Sequence, residues 1–275
     1  MMHDGAVFET TGVSAVRRGA TSPQPGVTTP LVDPRRRLAD ASLCVLVCGG
    51  TDAESFARLV TALVDVGVPM LQVRDKSLPD VTLADRVHAA LAIARQRRPE
   101  RPPLVVVNDR VDVAVACGAD GAHVGADDMP AAVARRVLGG DGLMPSGRVL
   151  GRTAHDLDEA RAAVADGADY IGVGPCFPSA TKSFAAFASA AFLRGVVAEI
   201  GLPAFAIGGI TPERIDALAA LGIRRFAVAT AVTAAADPAA AAGALLERIA
   251  AAGGAAASLS AASTAAAISG SSLGR

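Results

Sequence analysis

Asp109 and Asp128 each close a short apolar run, Leu104–Val107 and Gly121–Val124. Two carboxylates at neighbouring strand ends suit a hard divalent cation such as Mg2+. Arg74 and Lys76 follow the run Met70–Val73, and Lys182 follows Tyr170–Val173. Metal-holding carboxylates with converging cations make a site for a highly charged phosphate leaving group. Gly208 and Gly209 follow Ala204–Ile207 and precede Thr211-Pro212, which reads as a helix N-cap and first position. Exposed amides there, with those near Ala229 and Thr230, can hold a second phosphate. These residue types predict two phosphate-bearing ligands, one of them bound to metal.

Plainer readings compete with each of these. Asp75 beside Lys76 has the look of a surface pair of little energetic value. A Gly-Gly turn after a strand serves backbone geometry alone in many chains. His123, at a strand end, suits a satisfied core histidine as well as a ligand contact. His155 suits a helix cap better than catalysis, and Asp127 suits solvent. Gln72 and Arg74 are harder to set aside. Residues two apart on a strand share a face, so both should look into one cavity.

The elements that must position these groups form a regular alternation. Apolar runs at Leu43–Val47, Met70–Val73, Leu104–Val107, Gly121–Val124, Val149–Gly151, Tyr170–Val173, Ala204–Ile207 and Phe226–Ala229 fit strands buried on both faces of a parallel sheet. Between them, Asp52–Val66, Val81–Arg97, Asp156–Asp166 and Pro212–Leu221 carry helix formers with apolar residues at a period of about 3.6. Such units predict a single (β/α)8 TIM barrel, whose ligands sit in the loops after the strands. A doubly wound open sheet is the structural alternative.

A chain of 275 residues is enough for one such domain. Net charge is −1, so no global field draws it to nucleic acid or membrane. Apolar residues make up 51% but aromatics only 3%, so alanine accounts for much of the mean hydropathy of +0.39. No apolar run is long enough for a membrane span, and the first residues lack a signal-peptide pattern. Cys44, Cys48, Cys117 and Cys176 are scattered and suit small buried groups in a reducing cytoplasm. Residues 1–40, with a basic triplet at Arg35 to Arg37 read as solvated charge, are expected to be a poorly ordered extension. The barrel is expected over 41–250. Residues 251–275, nearly all Ala, Gly and Ser, are expected to be disordered for want of large apolar surface.

In order along the chain stand Gln72-x-Arg74-x-Lys76, Asn108-Asp109-Arg110, His123-Val124-Gly125-x-x-Asp128, the stretch from Gly167 through Pro178-Ser179-x-Thr181-Lys182, and Ala206-Ile207-Gly208-Gly209-Ile210. This series resembles thiamine-phosphate synthase over about residues 43–232. The resemblance implies Mg2+ at Asp109 and Asp128. It implies pyrophosphate contacts from Arg74, Lys76, Asn108, Thr153 and Lys182. Gln72 and His123 would lie against an aminopyrimidine. Ser179, Thr181, Gly208, Gly209, Ala229 and Thr230 would hold a thiazole phosphate. The implied reaction joins a pyrimidine diphosphate to that thiazole phosphate, or to its carboxylated form, and releases pyrophosphate.

Departures from the family pattern concern the first strand, where Cys44 to Thr51 replace an aromatic residue and a Thr-Asp pair, and Ala126, which stands for a frequent Gln. Thr153, Ser179 and Thr230 keep a hydroxyl while exchanging Ser for Thr or the reverse. Two rivals are a thiazole tautomerase with His155 as acid/base and a non-catalytic barrel that binds thiamine phosphate. Asn108-Asp109-Arg110 and Asp128 weigh against the tautomerase.

Overall fold

The computed structural model describes residues 33–139, 147–178 and 186–270. In chain order the elements are α1 (Pro34–Asp40), β1 (Leu43–Val47), α2 (Ala53–Val66), β2 (Met70–Val73), α3 (Asp80–Arg97), β3 (Leu104–Asn108), α4 (Val111–Ala116), β4 (Gly121–Val124) and α5 (Ala131–Val137). They continue with β5 (Val149–Ala154), α6 (Leu157–Ala165), β6 (Tyr170–Val173), α7 (Ala190–Glu199), β7 (Ala204–Ile207), α8 (Pro212–Ala219), β8 (Arg225–Val228), α9 (Thr230–Thr233) and α10 (Pro238–Gly270). All strands pair in parallel with their sequence neighbours, and β1 pairs β8 through Leu43↔Phe226, Cys44↔Ala227 and Val45↔Val228. That last pairing closes the TIM barrel and removes the doubly wound alternative, which would leave two open edges.

Alternation along the strands splits the core in two. Leu43, Val45, Val47, Leu71, Val73, Val105 and Val107 point outward into the layer shared with the helices. Cys44, Met70, Leu104, Val106, Val149, Tyr170, Phe205 and Ala227 fill the barrel itself. The same parity sends Gln72, Asn108, His123 and Thr153 inward, toward the C-terminal mouth. β5 runs on past Gly151 to Ala154, with Arg152 turned outward to Asp166 (2.6 Å) between the inward-facing Gly151 and Thr153. No helix among the described residues is long and apolar enough to cross a membrane.

α1 overturns one expectation. Residues 34–40 are helical, not irregular, and Arg37 and Leu38 are buried; residues 1–32 lie outside the described residues. Leu38 and Ala41 close the lower end of the barrel core. The basic triplet divides its work. Arg37 pairs with Asp120 and donates to the carbonyls of Pro102 (3.3 Å) and Pro103 (3.2 Å). Arg35 pairs with Asp169 at 3.0 Å. Both carboxylates sit in the same device, Gly118-Ala119-Asp120 and Gly167-Ala168-Asp169. In each, a positive-φ glycine ends a helix, and the Asp carboxylate takes the amide of Val105 (2.9 Å) or Leu150 (2.8 Å).

Removing Arg37 leaves Asp120 as an uncompensated, nearly buried charge. Arg37→Ala should therefore lower unfolding free energy by about 3 kcal/mol. Arg35→Ala should cost less than ~1 kcal/mol, because the Arg35 side chain is 53% exposed. Urea midpoints of the two variants check this, and equal midpoints would count against the buried pair.

At the other end of the chain, α10 extends to Gly270, through most of the segment 251–275 for which composition predicts no ordered structure. Alanine has the highest intrinsic helix propensity, so a stretch too poor in large side chains to build a core still favours local helix. Among the α10 residues whose side chains are described, Ala242, Leu245 and Ile249 are buried. Residues 271–275 lie outside the described residues.

Candidate active site

Among the described residues four buried side chains are polar or charged, and three of them, Gln72, Asn108 and His123, stand on the consecutive strands β2, β3 and β4 facing into the barrel. Buried polar groups cost free energy unless partnered, so such a concentration marks a site rather than a core. The imidazole Nε2 of His123 lies 3.0 Å from Thr153 Oγ1. Its Nδ1 is buried with no hydrogen-bond partner among the described residues.

His123, Gly151 and Tyr170 stand level with one another on β4, β5 and β6. The missing side chain at Gly151 lets the His123 and Tyr170 rings meet, with centroids 5.5 Å apart. Tyr170 packs edge-on against Phe205 in turn. Gly151 and Tyr170 are the floor of the mouth, and sequence reasoning did not single them out. The signal was available in the strand parity, which points both inward beside His123.

Above this floor lies the charged rim. Lys76 Nζ is 2.8 Å from Asp109 Oδ2 and 3.6 Å from Asp128 Oδ1. Lys76 therefore reaches across the mouth instead of pairing with its sequence neighbour Asp75, which accepts from Ser77 and from the Cys48 thiol. Asp109 reaches the rim through a left-handed backbone, φ +63°, with its amide donating to His123 O at 2.7 Å. That conformation is uncommon for a residue with a side chain, and Asp is among the few that tolerate it. Asp128 is held by the amide of Gly125 at 2.8 Å. Arg74, whose own amide donates to Val47 O, acts electrostatically on both Lys76 and His123.

Burial and the neighbouring Asp128 push the Asp109 carboxyl above the usual carboxylate range. Against its own desolvation, Asp128 is held below that range by hydrogen bonds from Asp109 and the Gly125 amide and by Lys76. Lys76 is raised, chiefly by its bond to Asp109. The pair is thus short of positive charge even with an ammonium beside it. No third acidic, His or Cys side chain joins it among the described residues. Two carboxylate oxygens with other positions left to water and ligand oxygens is a donor set that fits Mg2+.

Burial lowers the His123 imidazole from 6.5 to about 4. The folded pKa lies below the unfolded one, so the stability it confers is present above about pH 6.5 and lost as pH falls toward 4. The loss attributable to His123 should reach about 3 kcal/mol at the acid end. Unfolding free energies of the unsubstituted chain and His123→Asn across this window test it. An unchanged pH slope in the variant would show that other groups carry the acid sensitivity.

Gly208 and Gly209 both have positive φ, +97° and +63°. They also face close neighbours. A Cβ on Gly208 would stand 2.8 Å from Pro175, and one on Gly209 would stand 2.9 Å from Phe177 and from the Arg214 guanidinium. The segment after β6 is laced along this turn, Cys176 N donating to Ile207 O (2.9 Å) and Phe177 N to Gly208 O (3.0 Å). Thr211 and Pro212 then open α8 as N-cap and first residue. Ala229 and Thr230 stand at the start of α9, where Ala229 O accepts from Val232 N and Thr233 N. His155 does not cap α6. Asp156 does so by accepting from Glu159 N, while His155 Nδ1 lies 2.6 Å from Gly174 O. Ser179, Thr181 and Lys182 lie outside the described residues. Cys44 and Cys176 are buried free thiols, whereas Cys48 is exposed at the rim.

The barrel, its rim of two carboxylates and cations, and the polar pit beneath them have relatives. The family model described as thiamine monophosphate synthase matches residues 43–232. A thiamine-phosphate synthase of Rhodopirellula baltica is 39% identical over 202 residues, which cover 72% of this chain and 51% of that protein. One from Anaeromyxobacter dehalogenans is 41% identical over 204 residues, covering 74% of this chain and 85% of that protein. The chain spans about half the length of several such relatives, including 57% of the Gloeobacter violaceus protein. Among solved structures, thiamine phosphate pyrophosphorylase from Pyrococcus furiosus superposes with a TM-score of 0.66 at 28% identity, covering 79% of this chain and 98% of that one.

Proposed function

The chain belongs to the thiamine monophosphate synthase family, and from that membership we propose that it joins an aminopyrimidine-methyl diphosphate to a thiazole phosphate, giving thiamine phosphate and pyrophosphate. The observation that carries this reading is the Lys76–Asp109–Asp128 cluster set directly over the buried pit of Gln72, Asn108 and His123. An anion-handling rim above an uncharged, polar floor suits a substrate with a diphosphate at one end and a heteroaromatic ring at the other.

Each residue then has a task. Gln72 and His123 face the aminopyrimidine. Burial keeps His123 uncharged at neutral pH, so it offers the ring a hydrogen-bonding edge without a positive charge that would oppose cationic character at the methylene carbon. Arg74, Lys76, Asn108, Thr153 and Lys182 contact the diphosphate. Asp109 and Asp128 hold Mg2+, which when bound supplies charge to the departing phosphate oxygens. Gly208 and Gly209, with Ser179, Thr181, Ala229 and Thr230, hold the thiazole phosphate.

The carbon–oxygen bond to the diphosphate breaks with its electron pair leaving on pyrophosphate. The thiazole nitrogen supplies the lone pair for the new carbon–nitrogen bond. No proton has to be removed from that nitrogen, so the site needs no general base; positioning and leaving-group electrostatics do the work.

The test uses the full chain with both substrates and Mg2+. Pyrophosphate and thiamine phosphate should appear in equal amounts, only when both substrates are present, and chelation of the metal should stop the reaction. Absence of thiamine phosphate under these conditions would remove the synthase reading.

A further inference from the structure

Arg214 is the third residue of α8, in the first turn of that helix. A cation there opposes the helix dipole, whose positive end lies at the N-terminus. A local rule broken in this way calls for a compensating contact, and two are present. The guanidinium lies over the Phe177 ring at 4.8 Å from its centroid, and its Nη1 donates to Gly209 O. Phe177 belongs to the segment after β6, Gly209 to the turn after β7. One side chain on a third element thus ties both together, in addition to the backbone bond from Phe177 N to Gly208 O.

The tie has a directional effect. A trans peptide sets its C=O and the next N–H antiparallel. Anchoring Gly209 O on Arg214 therefore fixes the direction of the Ile210 N–H, at the turn assigned to the thiazole phosphate. Gly209 itself is confined, since its φ is +63° and Phe177 Cβ and Arg214 Nη1 would each stand 2.9 Å from an added Cβ. Without the guanidinium, the turn loses the clamp that holds it in that conformation.

We propose that Arg214 is a positioning residue for the second phosphate site: by stacking on Phe177 and anchoring Gly209 O it pre-shapes the Gly208-Gly209 turn for the thiazole phosphate. The inference rests on the synthase reading. It concerns one substrate only, because the diphosphate rim of Lys76, Asp109 and Asp128 is built on β2, β3 and β4.

The experiment compares Arg214→Met, Arg214→Lys, Phe177→Leu and the Arg214→Met/Phe177→Leu pair. For Arg214→Met the thiazole-phosphate KM should rise about tenfold, with kcat at saturation within about threefold of the unsubstituted enzyme. The pyrimidine-diphosphate KM should not move. Arg214→Lys, which keeps charge and one donor, should recover part of the loss. Phe177→Leu should raise the same KM, and the pair should be no worse than Arg214→Met alone, because both variants break one clasp.

A fall in kcat with an unchanged thiazole-phosphate KM would overturn the assignment, as would strictly additive effects. Calorimetric titration of each protein with thiazole phosphate separates this from the parent reading. If the unsubstituted chain makes no thiamine phosphate, the synthase reading fails. Tenfold weaker binding to Arg214→Met would still support the clasp, and equal binding would overturn it.

Discussion

Asp128→Asn should lower kcat by about 10²-fold or more while the fold is kept. A carboxamide matches the carboxylate in shape, and its oxygen can still accept from the Gly125 amide, which lies 2.8 Å from the native Oδ2. It is a poorer and uncharged ligand for a hard cation. The variant also removes the like charge that helps push the Asp109 carboxyl upward. Relieving that repulsion offsets the loss of the Asp109 and Lys76 interactions that hold the Asp128 carboxyl below its usual range, so the melting temperature of the metal-free protein should change little. The measurements are kcat against Mg2+ concentration and the melting temperature without metal. Full turnover at low Mg2+ would take Asp128 out of the metal site, and a steep fall in melting temperature would show that lost turnover reflects lost fold.

Gly151→Ala should be severely damaging to the floor of the mouth. An added Cβ would fall within the Tyr170 ring and against His123 Nδ1. Tyr170 is 3% exposed and His123 9%, so neither ring has open space to move into, and overpacking of this kind costs about 3 kcal/mol or more. The His123–Thr153 contact should be lost with it, and synthase activity should fall below detection. Gly172→Ala supplies the control. It approaches the same imidazole from β6, but its Cβ would stand 3.3 Å from His123 Cε1, and a shift of a few tenths of an ångström accommodates that. The variant should lose less than ~1 kcal/mol. Denaturant midpoints for the two variants decide the matter. Comparable midpoints would show that the floor can rearrange and that Gly151 is not a fixed part of the site.

The strands were legible because each is buried on both faces, which leaves an unbroken apolar run such as Leu104–Val107 whatever surrounds it. The rim was legible because parity and loop position place Gln72, Arg74, Asp109, His123 and Asp128 together once the strands are known. α1 was not. It is short and arginine-rich, and its order comes from partners that only the closed barrel brings near, so a local window sees nothing but charge. The floor was missed for a related reason. Gly151 has no side chain to read, and Tyr170 passes for an ordinary core aromatic until its register with His123 is known. Arg214 is legible only as a broken rule, a cation where a helix favours an anion. The roles of Ala229 and Thr230 rest on the family resemblance.

The seal at the lower end of the barrel has a consequence for the order in which the molecule is made. Arg37 bonds to a carboxylate 83 residues ahead of it, Arg35 to one 134 residues ahead, and the carbonyl of Ala39 to an arginine 186 residues ahead. A ribosome adds about 5–20 residues each second, so α1 waits several seconds before β4, β6 and β8 have emerged to receive it. During that interval Met70, Leu104 and the other residues destined for the barrel interior have no lid beneath them. The residues of α1, the earliest described element along the chain, are thus among the last to be fixed. The nascent chain spends its most exposed moments with its apolar lower end open to whatever chaperones or other chains are nearby.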